Sequence, residues 1–173
     1  REWSVAGVTT GAVPIWRRLV GHGPERAGIN GLAPGETRER DLSWLDWSLL
    51  QDITSDGRTI LLDETAEGGG LTGSVYLRSS EGSPAIRLGD GYGSSISPDG
   101  EWAVTREGQN TNKLNILPTG VGEPRAVRTG ALTCHNARFL PDNRTVVVSG
   151  HEPGNSPRLY RVDTHSGEYV ALS

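Results

Sequence analysis

The sequence predicts an all-β chain, a partial β-propeller of four-stranded antiparallel blades, from three observations. A turn motif recurs at fixed spacing: Thr54-Ser55-Asp56-Gly57, Ser97-Pro98-Asp99-Gly100 and Leu140-Pro141-Asp142-Asn143 put Asp56, Asp99 and Asp142 43 residues apart, twice. The same register carries Ile53, Ile96 and Phe139 upstream and Leu61, Val104 and Val147 downstream. Gly (24) and Pro (10) fill about a fifth of the 173 residues, a load that a helical bundle does not accommodate. A β-sandwich has no reason to repeat every 43 residues, and a β-helix repeats at a shorter period. A lone four-stranded sheet cannot bury both faces, so blades must stack on one another.

Each element follows in order. Residues 1–50 carry the least regular pattern, with expected strands Glu2–Val8 and Val13–Leu19. Arg26–Leu32, the turn Ala33-Pro34-Gly35-Glu36 and Thr37–Ser43 read as the last two strands of an earlier blade. Leu42, Leu45 and Leu49 also fit helical spacing, but the neighbouring repeats are all β and favour a strand and a connection. Three blades follow. Their first strands are Asp52–Thr54, Ser94–Ser97 and Asn136–Leu140. Each runs into a tight turn in which Pro presets φ, Asp bonds its own backbone, and Gly or Asn accepts positive φ. Second strands are Arg58–Asp63, Glu101–Arg106 and Arg144–Ser149; third strands are Gly73–Arg78, Lys113–Leu117 and Arg158–Asp163. Turns at Ser80–Ser83, Thr119–Glu123 and Thr164–Gly167 lead to fourth strands Ala85–Leu88, Arg125–Arg128 and Tyr169–Leu172. The expected organisation is one propeller domain, with degenerate or partial N-terminal blade material at 1–47 and blades at 48–90, 91–133 and 134–173.

Composition narrows the function classes. The net charge of −4 carries no basic excess of the kind that marks nucleic-acid binding. No apolar run approaches the roughly 18 residues of a membrane helix, and no signal peptide is visible. The chain contains no Met, so it is expected to be a fragment or a processed product. Its single Cys134 excludes an internal disulfide.

The Ser-Pro-Asp-Gly turn, the strand Leu159-Tyr160-Arg161-Val162-Asp163 and the Gly167 turn resemble the WD40-like (PD40) repeats of TolB-type propellers. Gly28-Ile29-Asn30-Gly31-Leu32-Ala33-Pro34-Gly35-Glu36, continuing through Arg40-Asp41-Leu42-Ser43-Trp44-Leu45-Asp46-Trp47-Ser48, is similar to a stretch in propellers fused to bacterial serine/threonine protein kinases. The resemblance covers residues 26–173 and implies a sensory or protein-binding module that follows a kinase domain, on the extracytoplasmic side. Kinase motifs are absent from the chain itself: no Gly-rich loop on a strand, no His-Arg-Asp and no Asp-Phe-Gly.

Other motifs have plainer readings. Gly68-Gly69-Gly70-Leu71-Thr72-Gly73 satisfies the dinucleotide pattern in letters, but it joins two antiparallel strands and no helix follows; a flexible hairpin loop is expected. No Gly-x-Ser-x-Gly elbow exists, and Ser94, Ser95 and Ser97 suit close packing on an inner strand. Asp99 and Gly100 are adjacent, which excludes an Asp box on spacing. The four His residues lack zinc-site spacing. Cys134 and His135, adjacent on a strand, point to opposite faces; a buried thiol and a satisfied imidazole are expected. Asp63, Glu64 and Glu67 are expected to form a solvated acidic loop, and Asn143 of the Asn143-Arg144-Thr145 sequon is explained by its turn position. Trp44 and Trp47 read first as packing and second as a binding surface.

The resulting expectation is a non-catalytic propeller that mediates protein or ligand interaction within a larger signalling protein, with no cofactor and no metal. The alternatives are the substrate-gating propeller of a prolyl-oligopeptidase-like serine peptidase and a free-standing periplasmic TolB-like protein. The Asp turns are short and alike, whereas the connections Trp44–Leu50, Gly89–Gly93 and Gly130–His135 and the loops Glu64–Thr72, Glu107–Asn112 and Gly150–Ser156 vary. Variable loops on a repeated scaffold carry function. A protein or small ligand is therefore expected on that loop-rich face, near the propeller axis, touching some of Trp47, Tyr92, His135 and His151. Nucleic acid is not expected as a partner, and self-association through exposed terminal blades is.

Overall fold

The computed structural model describes residues 3–5, 18–22, 27–32, 36–70, 72–108 and 110–172. It is all-β, with four four-stranded antiparallel sheets, each a meander. The first contains β1 (Trp3–Val5), β2 (Arg18–His22), β3 (Gly28–Leu32) and β4 (Arg40–Asp41). The second contains β5 (Ser48–Ile53), β6 (Thr59–Glu64), β7 (Ser74–Ser79) and β8 (Ile86–Asp90). The third contains β9 (Tyr92–Ile96), β10 (Trp102–Arg106), β11 (Lys113–Pro118) and β12 (Arg125–Arg128). The fourth contains β13 (Thr133–Phe139), β14 (Thr145–His151), β15 (Arg158–Asp163) and β16 (Tyr169–Ala171). These are the propeller-like blades the 43-residue repeat predicts. The predicted strands at 37–43 and 26–32 shorten to β4 and β3; Arg26 and the turn residues 33–35 lie outside the described residues.

The three Asp turns share the same backbone hydrogen bonds. Thr54, Ser97 and Leu140 each close the turn by donating to the carbonyl of Thr59, Trp102 and Thr145, at 2.7–2.9 Å. The carboxylates of Asp56, Asp99 and Asp142 each accept the amide of the second residue on, at 3.0 Å. Gly57, Gly100 and Asn143 adopt φ of 72°, 77° and 56°, which only Gly, Asn or Asp readily tolerates. In the first two turns a hydroxyl of Thr54 or Ser97 also donates to the Asp carboxylate. Leu140 has no hydroxyl, and Thr145 supplies it from the other side of the turn. Ile53, Ile96 and Phe139 stand in equivalent register, opposite Ile60, Ala103 and Val146. They are not equally buried: Ile96 is enclosed, while Ile53 and Phe139 are half-buried at the margins of their cores.

The chain divides into two compact units, residues 1–87 and 88–173. In the first, Ile29, Leu42, Ile60, Leu62 and Tyr76 form the core between the first two sheets, with Trp44 packed at its edge. In the second, Val104, Leu114, Ile116 and Val127 meet Cys134, Ala137, Val146, Val148, Tyr160 and Val162 between the third and fourth sheets. Strand β14 alternates strictly between half-buried and buried residues, as a sheet covered on one face does. Strand β6 is buried on both faces from Ile60 to Glu64. This corrects the expected solvated acidic loop: Asp63 and Glu64 continue β6 and are wholly enclosed. One glycine of the run is also packed. Glu67–Gly69 form a 3-10 turn, and a Cβ at Gly69 would lie 1.9 Å from the Glu64 carbonyl oxygen, so only glycine lets the turn fold onto β6.

Candidate functional site

In each of the last three sheets, the sequence-selected residues sit at the end remote from the Asp turn. Trp47 immediately precedes β5, Tyr92 begins β9 opposite Arg106, and His135 and His151 lie at the start of β13 and the end of β14. All four are half-buried. Trp47 belongs to the first unit and the other three to the second.

His135 and His151 are in direct contact. Nδ1 of His151 lies 3.0 Å from Nε2 of His135, with ring centroids 5.0 Å apart and planes at 49°. A β-bulge brings them together. In each of the last three sheets the first strand skips one residue in its ladder: Gln51 in β5, Ser94 in β9 and His135 in β13. Gln51 and Ser94 stand five positions before their turn aspartates, but His135 stands seven before Asp142. Regular pairing therefore continues through Asn136–Ser149, and the extra residue falls at the mouth of the sheet, where bulges re-aim side chains. Gly150 is the second requirement. A Cβ there would lie 2.2 Å from the Thr133 carbonyl oxygen, so β14 approaches the bulge only because it carries none.

The surrounding loops are tied to this end. Thr111 and Cys134 exchange backbone hydrogen bonds of 2.7 and 3.4 Å, docking the Glu107–Asn112 loop beside the start of β13. Thr129 donates through its hydroxyl to the carbonyls of Asn112 and Leu132, and the Asn112 side-chain amide donates to Gly130 at 3.2 Å. The loops at 107–112 and 129–133 are thus one hydrogen-bonded layer next to the histidines. Cys134 is fully buried, and burial pushes its thiol pKa up. The expected buried thiol and satisfied imidazole are both found.

Beside His151, the Glu152 carboxylate accepts the hydroxyls of Tyr169 (3.0 Å) and Tyr160 (3.4 Å) and the guanidinium of Arg158 (3.3 Å). Desolvation, with the nearby carboxylate, pushes the Tyr169 phenol pKa up. Nothing in the spacing of these residues announces the cluster, because Tyr160 and Tyr169 come from different strands.

Trp47 is held by its backbone. Buried Glu64 accepts the amides of Leu45 (3.1 Å) and Trp47 (3.2 Å) and the Ser48 hydroxyl, while Ser48 Oγ accepts the Trp44 amide at 2.8 Å. One carboxylate thereby shapes the whole connection into β5. Trp44 packs on the first core with the Arg78 guanidinium 5.5 Å above its ring, which is the packing reading. Ser94 and Ser95 are buried partners of Arg106 and of the Phe139 amide, in keeping with a structural role. Among the described residues no group of three His, Cys, Asp or Glu could hold a metal ion, and no helix is long and apolar enough to cross a membrane.

No protein-family model matches the chain, and no curated protein sequence matches it significantly. Solved structures do. A protein assigned as TolB from Agrobacterium tumefaciens aligns with a TM-score of 0.70 at 15% identity, over 90% of this chain and 60% of that one. TolB from Acinetobacter baumannii aligns at 0.65 and 12% identity, over 90% of this chain and 40% of that one. A prolyl endopeptidase aligns at 0.61 and 11% identity, over 90% of this chain and 26% of that one. The chain therefore has a β-propeller-like fold related to that of TolB, and spans less than two thirds of the length of these proteins.

Proposed function

We propose that this chain is part of a non-catalytic β-propeller that binds a protein or small ligand through the sheet ends opposite the Asp turns. The observation that carries the reading is the layer in the second unit, where the loops 107–112 and 129–133 are bonded together beside the half-buried His135–His151 pair. Polar aromatic side chains are gathered there without serving the core, on a rigid sheet that positions them. Tyr92 occupies the corresponding end of its own sheet in the second unit and is assigned to that surface; Trp47 occupies the corresponding end of its sheet in the first unit and is assigned as a binding residue there.

The proposal extends to organisation. Blades at 48–90, 91–133 and 134–173, with a degenerate N-terminal blade at 1–47, form one propeller domain. It serves as the sensor of a larger extracytoplasmic signalling protein with WD40-like repeats, as in the bacterial kinase fusions. Resemblance to TolB structures supports the binding role. A second reading, the gating propeller of a serine peptidase, draws on the likeness to a prolyl endopeptidase. The flanking reading frame separates them: a kinase before the propeller supports the first, a Gly-x-Ser-x-Gly hydrolase after it the second.

The functional test uses the intact protein and its captured ligand. Alanine at Tyr92, His135 and His151 should weaken binding about tenfold or more without lowering the melting temperature, as hot-spot residues do. Loss of binding that follows substitutions in the Asp turns instead contradicts the assignment of the surface.

A further inference from the structure

Two imidazole nitrogens facing each other at 3.0 Å share one proton in a hydrogen bond, yet the same separation suits a pair of metal ligands. A cation about 2.0–2.1 Å from both nitrogens would subtend an angle of roughly 95°, near the right angle between neighbouring ligands of a tetragonal or octahedral ion. Tetrahedral coordination would need the nitrogens about 3.3 Å apart, wider than they stand here. We infer that His135 and His151 form a two-imidazole site for a divalent cation of the nickel or copper type, its remaining positions filled by water.

Three features favour the site. The rings are tilted rather than stacked, and the broad χ2 well of histidine lets both lone pairs swing toward one apex. Binding needs no net ionisation: the ring that donates the shared proton changes tautomer, so that each neutral ring then carries its proton on the far nitrogen. Among the last three sheets the bulge is displaced only in the fourth, which puts the half-buried His135 at the sheet mouth. No third His, Cys, Asp or Glu completes the set among the described residues, so affinity is modest and coordination positions stay open. The inference deepens the proposed binding surface and rests on that reading for its biological use. Its test needs no partner, and failure here leaves the ligand-binding test standing.

The experiment is calorimetric titration of chelator-stripped protein with NiCl2 at neutral pH. One equivalent should bind, and His135→Ala and His151→Ala should each weaken it at least about tenfold, since a lone imidazole holds nickel poorly. His165→Ala removes an exposed turn imidazole and should change nothing. His135→Gln and His151→Gln keep a polar group at half-buried positions and should lose nickel equally, which covers any alanine variant that fails to fold. Nickel should also raise the wild-type melting temperature, an effect absent in all four substitutions at the pair. Binding that survives loss of either ring, binding that falls equally in His165→Ala, or no binding up to about 1 mM overturns the inference.

Discussion

The amide of Asp99 donates to Oδ1 of Asn143 at 3.0 Å, so the turn of the third sheet is tied directly to the turn of the fourth. Asn143 is also the one non-glycine residue among those described with positive φ, at 56°. One side chain thus serves a turn conformation and a contact between blades. It does so where the other two turns carry glycine.

Substitution separates the two roles. Asn143→Gly keeps the conformation and loses the hydrogen bond, and should cost about 1 kcal/mol. Asn143→Ala loses both and should cost about 2–3 kcal/mol, the left-handed backbone adding about 1–2. Urea unfolding monitored by tryptophan fluorescence checks the order. Equal costs would mean that the backbone conformation is not strained.

Glu64 is the corresponding test in the first unit. Glu64→Ala strands the amides of Leu45 and Trp47 and the Ser48 hydroxyl inside the protein. A loss of about 3 kcal/mol is expected, with a changed Trp47 environment visible in fluorescence. Glu64→Gln retains an acceptor and should lose less.

Acid should destabilise both units through their turns. The amides of Ser166 and His165, and then Arg144, hold the Asp163 carboxyl well below the usual range. The Thr145 hydroxyl and the amides of Thr145 and Arg144 lower that of Asp142, and the Thr54 hydroxyl and Arg58 amide lower that of Asp56. Folded-state values below the unfolded ones mean stabilisation present above about pH 3.9 and lost as pH falls through the folded values. Asp56 and Asp142 are exposed and Asp163 is half-buried at the surface, so each effect is small. The urea midpoint should fall between about pH 5 and pH 2, and Asp163→Asn should flatten that fall.

The outer face of the fourth sheet presents Leu159, Val170 and Leu172, which are 46%, 61% and 54% exposed. Leu172 donates its amide to the Leu159 carbonyl at 2.8 Å, so the side chains lie on neighbouring strands of one apolar strip. Blade faces of this kind are covered in a closed propeller. The isolated chain should therefore self-associate with rising concentration in light scattering, and Leu159→Lys with Leu172→Glu should return it to monomer.

The repeat made the blades legible because turn chemistry is local: Asp, Gly and their apolar flanks recur in sequence just as they do in space. The histidine pair was legible only in part. His135 and His151 stand out as candidates in variable connections, but their contact depends on a bulge displaced by two positions, which no spacing rule reveals. Glu64 was misread because an acidic residue beside glycines looks solvated. Its burial comes from a connection that folds back from Leu45–Ser48 to bring three donors. The Glu152 cluster is invisible for a similar reason, since strand pairing alone brings Tyr160 and Tyr169 together.

The most direct test of the binding surface is site-specific photocrosslinking in the intact protein in its own cell. A photoreactive residue is placed at Tyr92 or His135, and separately at Asp56 or Asp142 in the turns. Crosslinks to one discrete partner from Tyr92 and His135, with none from the turns, are the predicted result. Crosslinks from the Asp turns with none from Tyr92 or His135 would contradict the account.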